Sequence, residues 1–175
     1  MLKKPPGAML FTIISFDELE YYFKFKRYSE DTFSELLYES QPMPKWTLSE
    51  IERIHTVVGG NTRIISFKRK INREEIVEIT RKCIQFQTNS VSKDPSFRII
   101  PGYLCLHNVI VSSTTEDYHR IYLYNGVYAE IIYKYETRKF HSVNTAPKFF
   151  SSSEVLYFYT ILRDFYVQAN QNFLL

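Results

Sequence analysis

The dipeptide Asn125-Gly126 is the sequence feature that most constrains the fold of this chain. Asn and Gly both accept the positive φ that a type I′ turn requires at its two central positions, and alternating residues flank them. The spacing predicts a β-hairpin in which Tyr124 pairs with Val127 and His119 lies diagonally opposite Glu130. The sequence therefore predicts an antiparallel sheet that brings a histidine to a carboxylate.

Other apolar segments around this hairpin also repeat with the two-residue period of strands. They are Phe97–Ile100, Tyr103–Val111, Ile121–Tyr124, Val127–Tyr135 and Arg138–Val143. Together they predict a β-meander of about five strands. Two further strands are expected earlier in the chain, at Met9–Ile14 and Arg63–Lys68.

Helices are predicted where a polar residue precedes a Glu by three positions and an apolar periodic run follows, as in a capping box. Such starts occur at Ser15, Thr47, Asn72 and Ser151, and apolar spacing suggests another helix over Ser29–Glu39. The helix after Asn72 would bury Ile76, Ile79, Cys83 and Phe86 on one face. The last helix would close the core, which makes the fold class α+β with a helical N-terminal half.

The length of 175 residues and the absence of a long linker favour one domain over residues 1–175. Aromatic residues make up 17% of the chain, which predicts either an aromatic core or an aromatic binding surface. Met9 is a second candidate for the native start, in which case residues 1–8 come from an expression vector.

The two cysteines, Cys83 and Cys105, are too few for a disulfide framework, and the N-terminus lacks a secretory signal pattern. No apolar stretch approaches the roughly 20 residues that span a bilayer. We therefore expect a cytoplasmic protein with reduced thiols and no membrane span.

Positive charge is concentrated in residues 61–100, which carry 9 basic and 4 acidic side chains. Seven of these cations form what we call the basic segment: Arg63, Lys68, Arg69, Lys70, Arg73, Arg81 and Lys82. This segment could bind a phosphate-bearing partner, and with exposed aromatic rings it could bind single-stranded nucleic acid. Glu74, Glu75 and Glu78 could instead neutralise it, for example through a Glu78–Lys82 pair.

The runs Pro101-Gly-Tyr-Leu104 and His119-Arg-Ile-Tyr-Leu-Tyr-Asn-Gly126 resemble the strand motifs of NlpC/P60-like cysteine peptidases and their acyltransferase relatives. The resemblance implies that His119 is a general base, Glu130 orients it and a cysteine attacks an acyl carbon. Cys83 is the candidate nucleophile, although it lies about three turns inside its predicted helix, where the helix dipole lowers a thiol pKa little. Cys105 lies in a predicted strand.

Residues near 119–170 also resemble a polo-box repeat, which implies a noncatalytic module for phosphopeptide binding or self-association. Two unrelated families thus share this strand, turn, strand and helix pattern, which specifies little about function by itself.

Metal and cofactor sites are not predicted. His55, His107, His119 and His141 lack paired ligand spacing, and Cys105-x-His107 is a weak zinc pattern. Gly59-Gly60 is typical of a helix stop rather than of a nucleotide-binding loop.

The sequence therefore favours a noncatalytic binding domain, an adaptor or subunit that recognises a protein or a phosphate-bearing ligand. Nucleic-acid binding by the basic segment and a cysteine hydrolase built on Cys83, His119 and Glu130 stay as alternatives. A homo-oligomer is also left open.

Overall fold

A computed structural model describes residues 1–48, 50–53, 57–91 and 94–171 of the chain. Its strands are β1 (Ala8–Phe16), β2 (Leu36–Glu39), β3 (Asn61–Ile71), β4 (Arg98–Leu104), β5 (Asn108–Ser113), β6 (Ile121–Tyr124), β7 (Val127–Glu136) and β8 (Lys139–Ser142). Its α-helices are α1 (Leu19–Thr32), α2 (Glu50–Arg53), α3 (Ile76–Val91) and α4 (Ser153–Gln171). Short 3₁₀ turns at Arg73–Glu75 and Lys148–Ser151 precede α3 and α4.

All the described strands form an antiparallel eight-stranded sheet, in the order β2-β3-β1-β4-β5-β7-β6, with β8 also paired to β7. β6 and β8 share the edge of β7 that lies opposite β5, because β6 pairs at residues 127–129 and β8 at residues 133–136. The predicted α+β class and antiparallel sheet are confirmed.

Helices cover both faces of the sheet, and β1 shows why. Every residue of β1 is buried, so its alternating side chains enter two separate cores. Leu10 and Ile14 pack with apolar residues of α1 and α3, whereas Phe11 and Ile13 pack with apolar residues of α4. The predicted apolar face of α3 and the predicted closing of the core by the last helix, α4, are therefore confirmed, on opposite faces of the sheet.

The N-terminal half is only partly helical. The predicted helix over Ser29–Glu39 is wrong, because α1 ends at Thr32 and Leu36–Glu39 forms β2 on the edge of β3. The open edge of β3 thus decides the conformation of a segment whose apolar spacing also suits a helix.

The hairpin at Asn125-Gly126 is confirmed, with φ values of 52° and 77° at the two turn residues. Tyr124 pairs with Val127 as expected, but an irregularity at Leu123 shifts the rest of the register, so that Tyr122 faces Tyr128. The order of the predicted meander is also different, since β7 rather than β6 lies beside β5.

The predicted helix starts are matched unevenly. Asn72 and Glu75 form the expected capping box. Ser15 instead belongs to β1, where its hydroxyl accepts a hydrogen bond from the backbone N–H of Gly59 at 2.9 Å. The Thr47 start corresponds to α2, and the residues that follow α2, including His55, lie outside the described part of the chain.

Candidate functional site

A cavity opens where β4 and β5 separate. The two strands pair only over Gly102–Leu104 and Val109–Val111, where a side chain on Gly102 would lie 2.3 Å from the carbonyl oxygen of Ile110. Beyond this point Pro101 has no backbone N–H to donate, and the Ser112 hydroxyl donates to the Pro101 carbonyl at 3.2 Å instead. The sheet therefore parts between Arg98–Pro101 and Ser112–Thr115.

The cavity between these strand ends has a volume of about 340 Å³. Thr80, Ile84 and Gln87 of α3 line one side, and Trp46 and Leu48 contribute an apolar wall. Four charged side chains also line it, namely Glu52, Arg98, Arg120 and Glu130. The cavity is thus small and is lined by charged side chains of both signs.

Of these charged side chains, Arg98 has the fewest contacts with groups of opposite charge. Its side chain is half-buried, and burial lowers the pKa of its guanidinium, partly offset by the negative charge of Glu52. Within the described residues the guanidinium makes no hydrogen bond and no ion pair within 4 Å. A cation in this state favours a negatively charged ligand.

Arg120 and Glu130 belong to a buried ionic network beside Arg98. Glu130 is 3% exposed, and its Oε1 contacts the Nε2 of His119 and lies 3.9 Å from the Nε of Arg120. Arg120, which is 4% exposed, donates to Glu52 at 3.2 Å and to the carbonyl of Thr115 at 2.8 Å. Burial raises the pKa of Glu130, against the opposing effects of Arg120 and His119.

Several residues that line the cavity also have hydrogen-bond donors without an acceptor among the described residues. The side-chain carbonyl of Gln87 accepts from Ile99 N at 2.9 Å, which leaves its NH₂ group available. Ser113 accepts from Thr115 N at 3.2 Å, which leaves its hydroxyl hydrogen available. The Arg120 Nε is buried and has no hydrogen-bond partner within the described residues. A ligand that offers acceptor atoms fits this wall best.

The predicted contact between His119 and Glu130 is confirmed, but the structure brings no sulfur to it. Cys83 is fully buried in α3, and burial raises the pKa of its thiol. Cys105 is also buried and its thiol donates to the side chain of Asn108 at 2.8 Å. Neither cysteine lines the cavity.

The basic segment is largely neutralised within the protein. Its ion pairs are Arg63–Glu39, Lys68–Glu35, Arg69–Glu75 and Arg81–Glu78, at 3.4, 2.7, 3.1 and 2.6 Å. Glu78 thus pairs with Arg81, where the sequence suggested Lys82. Lys70 lies over the Tyr166 ring and donates to Asn170. Arg73 differs, because its Nε is buried without a hydrogen-bond partner within the described residues.

The described residues contain no group of three or more His, Cys, Asp or Glu side chains that could hold a metal ion. His107 and His141 lie outside the cavity wall.

Sequence reasoning missed Arg98, Arg120, Glu52 and Gln87 as site residues. A signal existed for Arg98, since a lone cation between Phe97 and Ile99 interrupts an apolar strand just before Pro101. Its importance depends on the separation of β4 from β5, which the sequence pattern does not reveal.

A second surface feature lies at the free end of the sheet. We call it the hairpin surface, and its exposed apolar residues are Tyr118, Ile121, Tyr122, Leu123, Tyr124 and Ile131. Their exposed fractions range from 37% to 88%. The predicted aromatic core is present, and some aromatic rings are also exposed at this end of the sheet.

Fold and site together define an α+β domain that carries a charged cavity between two strands of its central sheet. Residues 6–166 match the family described as Domain of unknown function (DUF4416), and the chain belongs to this family. Searches of curated proteins and of solved structures find no significant match. None of the described helices combines the length and apolar character needed to cross a membrane.

Proposed function

We propose that this protein is a noncatalytic binding domain for a small molecule that carries a phosphate or carboxylate group. The observation that carries the proposal is Arg98, a half-buried and unpaired guanidinium on the wall of a cavity. The planar guanidinium matches phosphate and carboxylate oxygens in a two-pronged geometry, which favours these groups over halide-like anions.

The energetics of Arg98 support this ligand class. Burial of the Arg98 guanidinium is only partly offset by the negative charge of Glu52, so the ligand-free protein bears a desolvation cost at this site. An anion that pairs with Arg98 removes this cost and gains charge-assisted hydrogen bonds of about 1.5–3 kcal/mol each. The volume of about 340 Å³ lies near the lower end of ligand cavities, so the ligand is a small molecule rather than a polymer.

A binding role is better supported than a hydrolase role. The thiol of Cys83 is buried away from the cavity, and burial disfavours the thiolate that would attack a substrate. Nucleic-acid binding by the basic segment is also less supported, because most of its cations have acidic or aromatic partners within the protein.

The test is a thermal-shift titration with inorganic phosphate, glycerol 3-phosphate, acetate and benzoate. We expect at least one of these anions to raise Tm saturably in the wild type and to lose that effect in Arg98→Met. Arg81→Gln is the matched control, since it removes an exposed arginine that already has a counterion. Equal shifts in the wild type and in Arg98→Met would contradict the proposal.

A second role, self-association, is favoured by the hairpin surface. Among the described strands, β6 lies at the end of the sheet and pairs with β7 alone, and its four residues carry no charge that would repel a second copy. The exposed residues of the hairpin surface are aliphatic and aromatic, and aromatic residues are enriched at protein interfaces. We therefore propose a second copy of this chain, paired antiparallel along β6, as the protein partner.

Sedimentation velocity tests this role over a range of protein concentrations. We expect a monomer–dimer equilibrium that Ile121→Lys shifts toward monomer, because a charge on the free edge opposes strand pairing. Phe23→Lys, at an exposed apolar position on α1, is the control and should leave the equilibrium unchanged. A wild type that stays monomeric at every concentration would exclude the dimer.

We expect the domain to work in the cytoplasm, and the support for this is that both cysteines are unpaired thiols.

A further inference from the structure

We infer that the ligand of the cavity is a zwitterion, a small molecule with an ammonium group as well as a carboxylate or phosphate. Free amino acids are the simplest members of this class. The inference rests on the proposed function and deepens it, because it names the second group of the same ligand and assigns that group to Glu130.

One carboxylate oxygen of Glu130 has polar partners, and the other has no hydrogen-bond partner among the described residues. His119 and Arg120 both approach Oε1, whereas Oε2 accepts no hydrogen bond from the described residues. The carboxylate lines the cavity and is 97% buried, so water compensates it poorly. A donor with positive charge is therefore the missing partner of this oxygen.

Arg98 and Glu130 do not satisfy each other, although they have opposite charges and line the same cavity. No ion pair within 4 Å joins them. The sheet explains the separation, because Arg98 is on β4, Glu130 is on β7 and β5 lies between these strands. In the register of the sheet Glu130 opposes Val111 and Val111 opposes Gly102, so Arg98 lies two strands away from Glu130 and four residues further along β4. The cavity thus has one positive and one negative residue in its wall that do not pair with each other, and its volume of about 340 Å³ leaves room for a small ligand.

The charge balance distinguishes a zwitterion from a simple anion. Among the described residues, the charged side chains on the cavity wall are two arginines and two glutamates, with a formal sum of zero. A simple anion would pair with Arg98 but would leave Glu130 Oε2 without a donor and would bring a further negative charge into a cavity that also holds Glu52 and Glu130. A zwitterion adds none, and each of its ends meets a group of opposite sign.

The pKa shifts agree with this geometry. Burial lowers the pKa of Arg98 and raises the pKa of Glu130, so the charged form of each group lacks full compensation in the ligand-free protein. Arg120, His119 and Glu52 are the titratable groups that act on Glu130, and the Nδ1 of His119 lies 3.9 Å from Asp117.

The first experiment screens the twenty protein amino acids and a series from 3-aminopropanoate to 6-aminohexanoate by thermal shift. The best compound is then compared by calorimetry with two matched analogues that lack either the amine or the carboxylate. For leucine these are 4-methylpentanoate and 3-methylbutylamine. We expect the zwitterion to bind at least about tenfold tighter than either analogue, which corresponds to about 1.4 kcal/mol.

The second experiment uses Glu130→Gln, which keeps the size of the side chain and removes its charge. We expect the affinity for the zwitterion to fall to that for the analogue without the amine, whose own affinity should not fall. Glu136→Gln is the matched control on the same strand, where the carboxylate is exposed and paired with Lys134. If Glu130→Gln fails to fold, the comparison of analogues on the wild type decides the question.

The outcomes separate the two proposals. If the analogue without the amine binds the wild type as tightly as the zwitterion, the inference is overturned, while loss of binding in Arg98→Met would still support the anion site. If no compound binds and Arg98→Met changes nothing, the proposed function itself fails.

Discussion

The cavity and the basic segment both hold arginine side chains, and they differ in whether those side chains have partners. The basic segment has seven cations in a short stretch of sequence, but most of them meet a carboxylate or an aromatic ring of the same chain. The cavity has only two arginines, and one of them, Arg98, pairs with no carboxylate in the described residues. Whether a cation is available to a ligand therefore depends on its partners and its burial rather than on how many cations lie nearby.

Burial also sets the energetic consequence of each arrangement. Exposed ion pairs such as Lys68–Glu35 are screened by water and contribute little to folding. Buried charges, in contrast, are costly when their partners are removed. Substitutions in the two regions should therefore have effects of very different size.

The largest effect on stability is expected for Glu130→Ala. This change removes the hydrogen-bond partner of His119 in a buried site, whereas Arg120 keeps Glu52, so the free energy of unfolding should fall by about 1–3 kcal/mol. Urea denaturation followed by circular dichroism measures it. Glu136→Ala, an exposed position on the same strand, should have much less effect. Equal losses in the two variants would mean that the buried network adds nothing to stability.

Arg98→Met should separate binding from stability. Loss of the guanidinium removes charge-assisted hydrogen bonds of about 1.5–3 kcal/mol, which predicts a roughly 10- to 100-fold weaker anion affinity. The free energy of unfolding should stay the same or rise, because a desolvated and unpaired cation is removed. A large loss of stability in this variant would indicate that Arg98 has a structural partner rather than a ligand.

The pH dependence of stability should identify Glu130. Because burial raises the pKa of Glu130 above its ordinary value of 4.5, the folded state holds this proton more tightly than the unfolded chain does. Its favourable contribution is present at low pH and is lost as pH rises from 4.5 through the folded pKa. The stability of the wild type relative to Glu130→Gln should therefore fall across this range. If the stability of the wild type relative to Glu130→Gln rose with pH instead, the pKa of Glu130 would be lowered in the folded protein and not raised.

The smallest effect is expected in the basic segment. Arg69 pairs with Glu75 at 3.1 Å, but the two side chains are 45% and 34% exposed, so screening limits the pair to at most about 1 kcal/mol. Arg69→Gln should leave anion affinity unchanged and reduce stability only slightly, measured by the same titrations. If Arg69→Gln lost as much anion affinity as Arg98→Met, the anion site would lie in the basic segment and not in the cavity.

Sequence patterns predicted the parts of the fold that depend on residues close together in the chain. They failed where contacts between distant residues decide the conformation. The Asn125-Gly126 turn, the Asn72 capping box and the apolar faces of α3 and α4 depend on neighbouring residues, and sequence patterns identify them. β2 depends on the free edge of β3, so its local spacing was misleading.

The candidate site was predicted only in part for the same reason. The contact between His119 and Glu130 follows from a short hairpin and was found. Arg98 and Glu130 are separated by a strand that no local pattern places between them, and the role of Pro101 in parting β4 from β5 depends on the register of the whole sheet.

The most direct test of the central claim is a crystal soaked in selenate, an oxyanion that replaces phosphate and can be located by anomalous scattering at the selenium edge. The account predicts an anomalous peak within hydrogen-bond distance of the Arg98 guanidinium in the cavity, and its absence from crystals of Arg98→Met soaked in the same way. A cavity without selenate, with peaks only beside the cations of the basic segment, would contradict it.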